Sequence, residues 1–109
     1  MIEVIFLAGA ESDVQALYEE RENIREGAGD RFLRELDRCA GLLRHYPRIG
    51  RHHRGVHRKL LMPDHPYGVF YAVESARVVI VAVLDLRQDP KGIEKRLGSD
   101  GRPSKPVGL

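Results

Sequence analysis

The residues able to do chemistry crowd into one stretch. Residues 44–59 hold Arg44, Arg48, Arg51, Arg54, Arg58 and Lys59, together with His45, His52, His53 and His57, and no acid. Such a block attracts phosphates at long range, and the attraction weakens as salt rises. His53 and His57 are four apart, the spacing of metal ligands on a helix. Gly55 and Val56 lie between them, however, and the stretch reads as a loop entering a strand. In a strand, His52 and His53 point to opposite faces. The expectation is no metal and no cofactor. Cutting a phosphodiester without a metal needs a base, an acid and cations around the phosphate. His57, Arg58, Lys59 and Arg87 could fill those roles, and His57 has the intrinsic pKa for acid–base work. Holding an anionic partner asks less. Arg48, Arg51, Arg54, Arg58, Lys59 and Arg87 would suffice, and a merely solvated basic surface is the plainest alternative.

The charge of the whole chain conceals this block. Its 109 residues carry a formal net charge of +2. Residues 1–37 contain ten acids and four arginines, a net of −6, and residues 38–109 contain six acids and fourteen Lys or Arg, a net of +8. An asymmetry of this size suggests an anionic partner for the second half. Fourteen of the eighteen basic residues are Arg, the cation suited to bidentate contact with phosphate or carboxylate. A GC-rich genome would produce the same bias. One Cys, Cys39, excludes a disulfide framework and a Cys-based zinc site. The apolar start at Ile2–Ala10 contains Glu3 and is far too short to span a bilayer. These features predict a single cytoplasmic domain that uses no membrane.

The elements that must position these residues follow from periodicity. Residues 2–8 read as a strand covered on both faces. Ser12 with Gln15 reads as a capping box opening a helix over 12–26, with Val14, Leu17, Tyr18 and Ile24 near one stripe and breaks at Gly27 and Gly29. Phe32, Leu33, Leu36, Cys39, Ala40 and Leu43 make one apolar face of a second helix, which Pro47 and Gly50 end. Cys39 falls in that stripe and reads as core. The two helices should pack as an antiparallel hairpin. Residues 54–62 alternate as one strand, with Val56, Arg58, Leu60 and Met62 opposite His57, Lys59 and Leu61. Tyr67–Glu74 and Arg77–Leu86 read as two more, with Tyr67 and Tyr71 favoured as core over base-stacking roles. Asp89 caps a short helix from Pro90 to about Leu97. The order β-α-α-β-β-β predicts a two-layer α+β domain over 1–97, its meander covered on one face by the helical hairpin. Residues 98–109 read as a flexible tail. The far face of the sheet still carries apolar side chains, which predicts a partner or self-association surface there.

Several segments in this order resemble the RelE/ParE superfamily of bacterial toxins from type II toxin–antitoxin pairs. They are Asp13 and Tyr18, Arg31-Phe32-Leu33-Arg34-Glu35-Leu36, Tyr46-Pro47-Arg48-Ile49-Gly50, Pro66 to Val73, and Val83 to Pro90 followed by Arg96-Leu97. The resemblance implies a cognate antitoxin that neutralises the chain, docking on the far side of the sheet or in the groove beside the helical hairpin. It implies DNA gyrase, or the ribosome and its mRNA, as target, and it allows a homodimer. Nuclease members of the superfamily carry an Arg just after the position of Tyr67, where this chain has Gly68. They carry an aromatic or His near the position of Ile93. Arg87 does match a functional Arg of the nuclease type. The balance favours a ParE-like, non-catalytic gyrase inhibitor. The alternatives are a RelE-like, metal-independent mRNA endonuclease and a degenerate toxin kept as a binding module.

Overall fold

Val78 to Leu84 is apolar at every position, so it must sit between two covered faces. In the computed structural model, which describes residues 1–99, it does. It belongs to the longest strand of a five-stranded sheet. In chain order the elements are β1 (Glu3–Phe6), α1 (Ala8–Ile24), α2 (Ala28–His45), β2 (Arg51–Arg54), β3 (His57–Leu61), β4 (Tyr67–Glu74), β5 (Arg77–Asp85) and α3 (Pro90–Gly98). The sheet order is β1-β5-β4-β3-β2. The last four strands form an antiparallel meander, and β1 joins β5 in parallel, Glu3 opposite Arg77 and Phe6 opposite Ile80. Four of the five strands, the hairpin and α3 lie where periodicity predicts them, within a few residues.

The helical hairpin covers one face of the sheet. Leu17 of α1 and Phe32, Leu36, Cys39 and Leu43 of α2 pack on Tyr71, Val78 and Ile80. Leu33 and Ile24, expected in the apolar stripes, are exposed. Gly27, at φ 86°, makes the turn between the helices. Gly29 is not part of the break after the first helix but lies inside α2, where a Cβ would stand 2.6 Å from the Tyr18 ring. The bare glycine is what lets the two helices close. The expected capping box does not form either. Helix α1 starts at Ala8, so Ser12 and Gln15 are already within it, and Gln15 instead bonds Glu19.

Two expectations need correction. The segment 54–62 is not one strand. Gly55, at φ 58°, turns the chain between Arg54 and His57, and residues 51–54 form an additional edge strand. Nor is the far face left bare. Helix α3 folds over it, with Ile93 and Leu97 packed on Phe70, Val79, Val81 and Leu84. Asp89 caps α3 as expected, accepting from the Lys91 N–H at 2.9 Å. Gly98 and Ser99 close this helix, and residues 100–109 of the expected tail lie outside the described residues.

Candidate functional site

The basic block becomes the β2–β3 hairpin at one edge of the sheet and the loop that leads into it. Arg51 lies opposite Lys59, His52 opposite Arg58, and Arg54 opposite His57, with a bulge at His53. Side chains opposite one another share a face. Lys59 pairs with Phe70, so Lys59, His57, Arg51 and Arg54 belong to the face that α3 covers. Arg58 pairs with Tyr71 and belongs to the helical-hairpin face with His52.

Most candidate side chains already have partners. Arg58 Nη1 donates to the carbonyls of Gly50 (2.9 Å) and Arg48 (3.2 Å), and so fastens the loop leading into β2. Tyr71 Oη accepts from the Gly50 N–H at 2.8 Å in the same corner. Burial pushes the Tyr71 hydroxyl pKa up, while the Gly50 bond and the guanidiniums of Arg58 and Arg48 oppose this. His57 is buried. His53 packs edge-on against Phe70, and its Nε2 lies 2.6 Å from Glu94 Oε1 on α3. Arg54 Nη1 donates to Glu94 Oε2 at 2.9 Å. These two bonds hold the Glu94 carboxyl below the usual carboxylate range. Among the described residues, no group of three or more His, Cys, Asp or Glu is placed to hold a metal ion.

Arg87 stands at the far end of the sheet. Its Nε and Nη2 donate to the two carboxylate oxygens of Asp85 at 3.0 and 2.8 Å, and its backbone N–H donates to the same carboxylate. The side-chain bond to Arg87 is the main reason Asp85 titrates below its ordinary value. Arg58 lies opposite Tyr71 and Asp85 opposite Tyr67, four residues away along β4. That is roughly 13 Å at the rise of a strand. The structure therefore brings His57 and Lys59 to one face, turns Arg58 to the other, and sets Arg87 apart from all three. Together with Arg48, Arg51 and Arg54, which are exposed, Lys59 forms a basic edge. Tyr46 and Ile49, also exposed, add an apolar shoulder beside Arg48.

Other contacts were not foreseen. Asp13 accepts from Arg96 Nη1 and Nη2 at 2.6 and 2.7 Å and from the Val83 N–H at 3.0 Å. Glu94 is the acid that joins α3 to the basic edge. Neither contact has a local sequence signal, because each spans forty or more residues. Beside the helical hairpin an open groove is lined by Phe6, Glu11, Val14, Gln15 and Leu36.

The chain is an α+β domain whose sheet carries the helical hairpin on one face and α3 on the other, with a basic edge at β2 and β3. A solved structure titled "Chromosomal ParDE TA system from P. aeruginosa" shares this fold at a TM-score of 0.70. The match covers 79% of this chain and 97% of that one, at 14% identity. No curated protein matches the sequence. Residues 4–90 match the family described as ParE toxin of type II toxin-antitoxin system, parDE. The chain belongs to that family.

Proposed function

We propose that this toxin acts by binding and poisoning DNA gyrase, not by cutting RNA, and that a cognate antitoxin keeps it inactive. The observation that carries the reading is the commitment of the two arginines a nuclease would need free. Arg58 is spent on two backbone carbonyls and Arg87 on Asp85. Neither converges with His57 on a common point where a phosphate could be held and attacked. The exposed cations Arg48, Arg51 and Arg54 with Lys59 suit recognition of an anionic surface without chemistry. Residues 1–97 are the working domain in this reading, and it operates in the cytoplasm. For the antitoxin, the groove lined by Phe6, Val14 and Leu36 supplies an apolar floor on which a partner segment could dock. The far side of the sheet is closed by α3 and is not proposed.

Induced expression without the antitoxin tests this. The expected result is growth arrest with a DNA-damage response and intact messages. Rapid loss of translation with cleaved messages would overturn the gyrase reading in favour of a nuclease. Arg58→Ala with Arg87→Ala should leave the arrest in place, provided circular dichroism shows the double variant folded.

A further inference from the structure

The four arginines of the acidic half are not scattered. Arg21 lies in the last turn of α1 and Arg25 just beyond its end, and Arg31 and Arg34 are one turn apart on α2. All four line a single hollow at the tip of the helical hairpin, with Ile24 and Glu26. Of the nearby acids, Glu22 and Asp30 are used elsewhere, and Glu26 lines the hollow without an ion pair to any of the four. Glu22 accepts from the Gly29 N–H at 2.9 Å, and Asp30 accepts from the Tyr18 hydroxyl at 3.4 Å. Among the described residues none of the four arginines forms an ion pair. The Nε atom of Arg21 is buried and has no hydrogen-bond partner.

This arrangement carries an electrostatic cost. Like charges one turn apart on a helix repel by a few tenths of a kcal/mol per pair. A buried donor without an acceptor costs more, which is why such groups are rare. An anion in the hollow would relieve the repulsion among the guanidiniums. The first N–H groups of α2 are partly taken, Ala28 by the Arg25 carbonyl and Gly29 by Glu22. The guanidiniums therefore carry the site, and the positive end of α2 adds to them.

We propose that the hairpin tip is a phosphate-binding site, separate from the basic sheet edge and independent of the toxin's target. Four forked guanidiniums around one hollow match the several acceptor oxygens and the higher charge of phosphate better than a single carboxylate. The phosphate comes either from a nucleic-acid backbone or from a free polyphosphate such as a nucleoside triphosphate.

Titration of the full chain with inorganic tripolyphosphate tests the site, read by calorimetry and by amide NMR shifts. The expected result is binding that shifts amides around residues 25–31. Arg25→Ala with Arg31→Ala, both exposed positions, should weaken it about tenfold or more and flatten its salt dependence. Arg51→Ala with Arg54→Ala on β2 should change it less than about twofold, since those cations lie on another surface. A short DNA duplex that displaces tripolyphosphate assigns the source to a backbone. A duplex that fails to displace it assigns the source to free polyphosphates. Unchanged affinity in the hairpin-tip variant, loss in the β2 variant alone, or equal competition by polyglutamate would each overturn the proposal.

Discussion

Tyr71 and Tyr67 sit four residues apart on the same face of β4, both buried, yet their hydroxyls have opposite fates. Tyr71 Oη accepts from the Gly50 N–H, and a Cβ on Gly50 would stand 2.6 Å from it. The hydroxyl thus holds the chain at the entrance to β2. Tyr67 Oη is buried with no hydrogen-bond partner. Removing Tyr71 Oη leaves a backbone donor unpaired, a loss of about 1–2 kcal/mol. Removing Tyr67 Oη relieves a buried polar atom. Urea unfolding of Tyr71→Phe should therefore show that loss, and Tyr67→Phe should fall within about 0.5 kcal/mol of wild type or exceed it. Equal destabilisation of the two would show that the Gly50 contact contributes nothing. At this scale the sequence is a partial guide. Both tyrosines read correctly as core. Which one has a partner depends on Gly50, 21 residues earlier, and pattern reading does not reach that far. The same holds for Arg58 and Arg87. Their types were legible, and the carbonyls and carboxylate that occupy them were not.

The elements fit together where one strand outlasts its neighbour. Strand β1 stops at Phe6, and Leu7 makes a last bond to the Ile80 carbonyl. Strand β5 runs on to Asp85 with a bulge against β4 between Ile80 and Ala82. Its exposed backbone would be left open there. Asp13 from α1 accepts from the Val83 N–H, and Arg96 from α3 binds Asp13. Two helices from opposite faces thus close the edge that β1 does not reach. Asp13→Ala should cost about 2–3 kcal/mol, because it leaves Val83 N–H and the Arg96 guanidinium unpaired together. Asp13→Ala with Arg96→Ala should cost less than the sum of the single changes. Strict additivity in urea unfolding would refute the joint role. Strands β4 and β5 and helix α2 were legible because each carries an apolar pattern of the right period. Strand β2 was not, since Arg-His-His-Arg has no apolar residue and is held by backbone pairing to β3 and by polar contacts to distant Glu94. The start of α1 was obscured because Ser12 and Gln15 imitate a helix beginning one turn too late.

The charge asymmetry of the sequence becomes, in the whole molecule, a basic sheet edge beside a helix that partly restrains it. Glu94 is the restraint. It takes bonds from His53 and Arg54 and so ties α3 to β2 across the far face. Its carboxyl and that of Asp85 both titrate below their ordinary values, through His53 and Arg87 respectively. A carboxylate whose pKa is lower folded than unfolded contributes stability that is fully present above its unfolded value, about 4. That contribution is lost as pH falls through the folded value. The protein should therefore hold its urea midpoint at neutral pH and lose it in acid below about pH 4. Glu94→Gln removes one of the two contributions. It should cost about 0.5–1 kcal/mol at pH 7, the scale of a half-exposed ion pair. Its stability curve should then converge on wild type as pH falls through the folded Glu94 value, because the wild-type carboxyl is then protonated and its contribution is lost. Parallel curves at all pH values would show that Glu94 does not couple α3 to the basic edge. Because α3 is also what covers Phe70 and Val79, convergence should be accompanied by faster amide exchange in α3 at low pH. The strap would then be electrostatic at its β2 end and hydrophobic along the sheet.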